Sequence, residues 1–126
     1  MKKIVSTTNA PAAVGPYSQG VTVGGFTYFS GQPPISPQTN EIVQGGVKEQ
    51  TTQIMENIKA MLESGGLGFD NIIKATVFVT NFNDFAAVNE IYSSYFQNDY
   101  YPARSCIEVA GLYKDISVEI EVIAYN

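Results

Sequence analysis

Apolar residues recur along the chain with two different periods, and the period changes at clusters of Gly, Pro and Asn. Ser18 to Val23 and Phe26 to Ser30 read as two short extended runs split by Gly24-Gly25. A two-residue Gly-Gly loop supplies the positive φ angles of a type I′ turn, so this pair is predicted to be a β-hairpin. Gly31-Gln32-Pro33-Pro34 ends the second run, because proline cannot donate to a sheet ladder. From Val47 to Glu63 the apolar positions Val47, Ile54, Met55, Ile58, Met61 and Leu62 keep close to a helical period. That segment is predicted to be an amphipathic helix, stopped by Gly65-Gly66. Ile72 to Thr80 is nearly continuous and β-branched, as expected of a central strand covered on both faces. Asn83 or Asp84 is then expected to cap a second helix carrying Phe85, Val88, Tyr92, Tyr95 and Phe96 on one stripe, closed off by Pro102. Arg104 to Val109 reads as a strand, and Ser117 to Ala124 as another with strong alternation.

The resulting order, β(β)βαβαββ, describes one α+β domain over residues 1–126, without internal repeat, low-complexity tract or linker. Both helices are expected on one face of a mixed sheet of about six strands, since two helices cannot cover both faces. The other face must be polar or buried against further copies of the chain. Tyr28, Phe29 and the many apolar strand residues favour burial by oligomerisation.

Composition narrows the chemistry. No apolar run approaches the roughly 18 residues needed to span a bilayer, so no membrane association is expected. Met1-Lys2-Lys3 is basic, but Ile4-Val5-Ser6-Thr7-Thr8-Asn9 turns polar after two apolar residues, so no apolar core of a signal peptide is expected to follow. Cys106 is the only cysteine, which rules out an intramolecular disulfide and suits a reducing compartment. A cytoplasmic protein is the expectation. The net charge is −5 and the seven Lys and Arg residues are scattered, which argues against a nucleic acid as main partner. The chain contains no histidine, which excludes Ser-His and Cys-His catalysis and every His-based metal site. Chemistry is left to carboxylates, one Arg, Tyr, hydroxyls, one thiol and the backbone.

Two segments concentrate those groups. Val118-Glu119-Ile120-Glu121-Val122 puts two carboxylates on one strand face and three apolar residues on the other. The plain interpretation is a solvent-facing strand with spaced acids, and neighbouring positions on one strand are poorly placed to flank a sugar from opposite sides. Pro102-Ala103-Arg104-Ser105-Cys106 holds Arg104, the only arginine. A guanidinium can grip a carboxylate bidentately, which Lys does poorly, although a surface ion pair with one of the twelve acids would also account for it. Cys106 is its same-face neighbour, either a thiol activated by the cation or a buried inert residue. Gly15-Pro16-Tyr17 and Ser30-Gly31-Gln32 are turn signals and match neither a phosphate-binding nor a dinucleotide fingerprint.

In their order and spacing these segments resemble the Rid family, also called YjgF or L-PSP, and within it the RidA branch. The resemblance rests on Ala10-Pro11-Ala12-Ala13-Val14-Gly15-Pro16-Tyr17-Ser18-Gln19-Gly20, Ser30-Gly31-Gln32 and Lys74-Ala75-Thr76-Val77-Phe78-Val79. It continues through Asn83-Asp84-Phe85, Val88-Asn89, Pro102 to Val109 and Val118 to Ala124, and so covers essentially the whole chain. The Pro-Ala-Arg-Ser-Cys block with its downstream Glu-Ile-Glu is the specific part, whereas Ser-Gly-Gln alone is weak.

The resemblance implies a chorismate-mutase-like protomer in a homotrimer with clefts between subunits. It also implies hydrolysis of 2-aminoacrylate, 2-aminocrotonate and their imino tautomers to 2-keto acids and ammonia, with no metal or cofactor. Carried over residue by residue, Arg104 would bind the substrate carboxylate, Glu119 would hold or activate water, and the Cys106 backbone would help to position it. Tyr17, Ser30, Gly31 and Asn89 would line the cleft. Two departures stand out: many RidA members have Ala-Arg-Leu-Pro-Lys-Asp where this chain has Ala110-Gly111-Leu112-Tyr113-Lys114-Asp115, so Gly111 removes a charge and Tyr113 a stiffener from a loop that bears on subunit contacts or substrate range. The alternatives are a trimeric module that binds a small carboxylate without turnover, and a ribonuclease or translation inhibitor, poorly supported by the charge and the absence of histidine.

Overall fold

In the computed structural model, which describes residues 1–126, a six-stranded sheet carries two helices on one face. The strands are β1 (Lys3–Val5), β2 (Gly20–Val23), β3 (Phe26–Phe29), β4 (Ile72–Val79), β5 (Ala103–Glu108) and β6 (Val118–Tyr125). The helices are α1 (Val47–Ser64) and α2 (Phe85–Ser93). Across the sheet the order is β1-β2-β3-β6-β4-β5. Only β4 and β5 run parallel, joined through α2, and every other pairing is antiparallel.

The hairpin forms where the Gly pair requires it, with φ of 57° at Gly24 and 85° at Gly25 between β2 and β3. Helix α1 ends at the second Gly pair, where Gly66 takes φ 73° and the Leu67 amide reaches back to the Leu62 carbonyl. Ile54, Met55, Ile58, Met61 and Leu62 of α1 are buried in one core with Ala75, Val77 and Val79 of β4 and Val118, Ile120 and Val122 of β6. No helix is long and apolar enough to cross a membrane.

Three local expectations need adjustment. β1 is a strand that the sequence pattern does not single out, its three residues paired to β2 with Ile4 opposite Val21. The turn before α2 is a 3₁₀ segment, Phe82–Asp84, and its cap is Asn81, whose side chain accepts from the Asn83 amide at 2.9 Å; Asp84 makes no side-chain cap bond. Helix α2 ends at Ser93, so Tyr95 and Phe96 lie beyond it, although Phe96 still packs on Tyr92 with ring centroids 4.9 Å apart.

β4 also differs from a strand covered on both faces. Ala75, Val77 and Val79 are buried under the helices, while Lys74, Thr76 and Phe78 on the opposite face are only half-buried. That open face carries exposed Phe26, Tyr28, Ile107 and Tyr125. A sheet face so rich in large apolar groups is unusual for a chain that stays alone in water.

Candidate active site

Arg104 is placed by the parallel β4–β5 ladder, where it pairs with Ala75 and therefore shares the helix side of the sheet. There it meets α2. Its Nη1 donates to Asn89 Oδ1 at 2.7 Å, and its Cζ lies 4.9 Å from the Tyr92 ring centroid and 5.4 Å from that of Phe85. No carboxylate reaches it, for the chain's one salt bridge joins Lys48 to Glu90. Asn89, Tyr92 and Arg104 line a cavity of about 430 Å³ with Glu90, Tyr101 and Pro102. The surface ion pair that composition allowed is absent, and the guanidinium charge is left without an anion.

Glu119 is placed by β6, where it pairs with Phe78 and shares the open face of the sheet with Glu121. Burial pushes its carboxyl above the ordinary Glu range, and the like charge of Glu121 pushes in the same direction. Gly31, Gln32, Tyr17 and Tyr113 line a cavity of about 270 Å³ with it. Gly31 permits the close approach of Glu119 in its present rotamer: a Cβ there would overlap Glu119 Oε2 and stand 3.1 Å from its Cδ. The loop bearing Tyr17 is tied down by the buried Gln19, which accepts from the Thr7 amide at 2.7 Å and donates to the Pro11 carbonyl at 2.8 Å.

Two groups of candidate residues thus form, and they stand on opposite faces of one sheet. Tyr17, Gly31 and Glu119 belong to one; Arg104 and Asn89 belong to the other. Within one protomer Arg104 and Glu119 line separate cavities. Ser30 lies beside the first group, but its hydroxyl donates to the Ser18 carbonyl at 2.6 Å and so braces the Tyr17 loop. Cys106 shares the helix side with Arg104 and packs against the core. Burial raises its thiol pKa, the nearby Arg104 offsetting this only in part, so the environment is not that of an activated thiolate.

Gln32, Tyr92, Phe85 and Tyr113 join these groups although their sequence context marks them as turn, core or loop residues. Phe85, Asn89 and Tyr92 are spaced by four and then three, which puts them on one face of α2, and that spacing is the only local signal. Gln32 is 4% exposed with its Oε1 unpaired, a consequence of tertiary packing. Tyr113 belongs to the departing loop, in which Lys114 and Asp115 both adopt positive φ, 53° and 58°. No group of three or more Cys, Asp or Glu side chains is gathered as a metal site would require.

Against known proteins, the profile of the family described as Endoribonuclease L-PSP matches residues 7–126. The chain belongs to the L-PSP, or Rid, family. It is 50% identical over 126 residues to a RutC family protein of Pyrococcus horikoshii, covering 100% of this chain and 99% of the relative. It is likewise 50% identical to the 2-iminobutanoate/2-iminopropanoate deaminase of Escherichia coli, covering 98% of each. Among solved structures, E. coli TdcF with bound serine superposes with a TM-score of 0.92 at 48% identity, covering 98% of each chain. The six-stranded sheet with two helices on one face is therefore the Rid fold.

Proposed function

We propose that this Rid protein hydrolyses the imino tautomers of 2-aminoacrylate and 2-aminocrotonate to 2-keto acids and ammonia, in sites assembled from two copies of the chain. The observation that carries this reading is the division of labour across the sheet. One face offers a cation with no anion, the other a half-buried carboxylate whose pKa is raised. The named activity of the E. coli deaminase and the serine bound to TdcF agree with a small amino-acid-derived ligand at such a site.

In the proposed reaction, Arg104 of one copy grips the substrate carboxylate through paired N–H donors, and Asn89 steadies the guanidinium. Fixing that end leaves the C=N carbon in the cleft beside Glu119 of a second copy, and such orientation removes much of the entropic barrier. Water adds to the carbon of the protonated imine while Glu119 accepts its proton, giving a neutral carbinolamine. Glu119 then returns that proton to the amino nitrogen. The C–N bond breaks as the C=O bond forms, nitrogen leaves as ammonia, and the hydroxyl proton passes to the carboxylate of Glu119, which releases it to ammonia or solvent before the next turnover. A carboxyl with a raised pKa is suited to both transfers, and general base assistance of this kind is worth roughly 10²–10⁴-fold. Tyr17 and Gly31 would line the Glu119 side of the cleft, and the Cys106 backbone, next on the strand face from Arg104, would help to place the water.

The split also supports assembly, in a trimer by the family pattern, because a single protomer holds only half of each site. A ribonuclease would need positive charge along a groove, and here the sole Arg is enclosed by α2 aromatics. The test is keto acid release from imines generated in situ by a threonine dehydratase, with spontaneous hydrolysis subtracted. Wild type should accelerate release, and Arg104→Ala and Glu119→Ala should each lose at least roughly a hundredfold. Folded wild-type protein without acceleration would transfer the reading to a carboxylate-binding module.

A further inference from the structure

An arginine waiting for a carboxylate has to be held still, and the usual way of holding it, with an acid, would occupy the charge that the ligand needs. Arg104 is held otherwise. Its three neighbours are the Tyr92 ring at 4.9 Å, the Phe85 ring at 5.4 Å and Asn89 Oδ1 at 2.7 Å, none of them an anion. Glu90 is the one acid lining the same cavity, and it is engaged by Lys48 from α1. We propose that Tyr92, assisted by Phe85, is a positioning residue for Arg104: its ring face fixes the guanidinium plane while leaving the cation uncompensated.

The physics favours this arrangement over the alternatives. A guanidinium is planar and weakly hydrated, so it stacks on an aromatic face with little desolvation cost. The ring quadrupole attracts the cation but carries no net charge to compete with a ligand carboxylate. Tyr92 is only 4% exposed and is clamped between the core and Arg104, with Phe96 against its ring at 4.9 Å, so the platform itself cannot swing. Its hydroxyl forms no hydrogen bond in the protomer, which assigns the work to the ring. Burial drives that hydroxyl to about 12, so the phenol is not a hidden anion.

The inference rests on the deaminase reading only for its ligand, and the experiment separates the two. Because Arg104 is the only arginine, protein labelled with ¹⁵N-arginine gives a single Nε–Hε resonance that reports this side chain alone. In wild type that proton should lie upfield of its position in free arginine through ring-current shielding. Tyr92→Leu should return it downfield, and the conservative Tyr92→Phe should restore the wild-type shift. Titrating 2-oxobutanoate into the same samples, Kd should weaken roughly tenfold in Tyr92→Leu and stay within about twofold of wild type in Tyr92→Phe. If Tyr92→Leu does not fold, the half-buried Phe85→Leu takes its place and should produce the same downfield return. An Nε–Hε resonance indifferent to loss of either ring would overturn the proposal, as would a Tyr92→Phe protein as impaired as Tyr92→Leu. A wild-type protein that shows the shielding but neither binds 2-oxobutanoate nor releases keto acid would sink the proposed function and leave the aromatic clamp standing.

Discussion

Glu119 and Glu121 are two residues apart on one strand and share one face, and yet their surroundings differ. Glu119 is half-buried beside Gly31, while Glu121 stands in the open. Desolvation is the larger cause of the raised Glu119 pKa, and the neighbouring negative charge adds to it. A base must be ionised to act, so activity should fall as pH drops through that raised value, earlier than an ordinary Glu with pKa about 4.3 would allow. Glu121→Gln keeps the shape and removes the repulsion. Its pH profile of kcat/KM should show the acid limb displaced to lower pH relative to wild type, with little change on the alkaline side. An acid limb that does not move would mean that the titrating group is not Glu119.

At the scale of elements, the loop after β3 shows how α1 reaches the site without touching it. Asn57 on α1 is buried, donates to the Ile35 carbonyl at 2.9 Å and accepts from Gln53 at 2.8 Å. Pro33 and Ile35, which this bond anchors, line the cavity of Glu119. Asn57→Ala leaves the half-buried Ile35 carbonyl without its donor, which should cost about 1 kcal/mol or more, read as a lower urea midpoint with unchanged slope.

The two helices and the Gly-Gly hairpin are plain in the sequence because their signals are local: a helical period between glycine pairs, and two glycines that adopt consecutive positive φ with no Cβ to oppose it. Strand β1 is not, since three residues beginning with Lys3 carry no period, and β2 alone makes them a strand. Nor is the insertion of β6 between β3 and β4, fixed by pairs that lie from 39 residues apart in the chain (Val79 with Val118) to 99 (Phe26 with Tyr125). Arg104 stands out by being unique, and Glu119 by alternation, but their opposite faces depend on which strand each pairs with. Tyr92 and Phe85 look like core because a helical stripe that cradles a cation has the same spacing as one that fills a core.

For the whole molecule, the open sheet face and the divided site make one argument. Phe26, Tyr28, Ile107 and Tyr125 spread large apolar surface over the same face that carries Glu119, so association would bury that surface and complete the sites together. The measurement that tests this most directly is keto acid release by a remixed pair of inactive proteins. Arg104→Ala and Glu119→Ala would be unfolded together, refolded at equal concentration and assayed beside each variant alone. If each site takes Arg104 from one copy and Glu119 from another, random mixing should leave about one quarter of the sites intact and recover about one quarter of wild-type activity. A mixture of well-folded, associated variants that stays as inactive as its components, while wild type is active, would contradict the account.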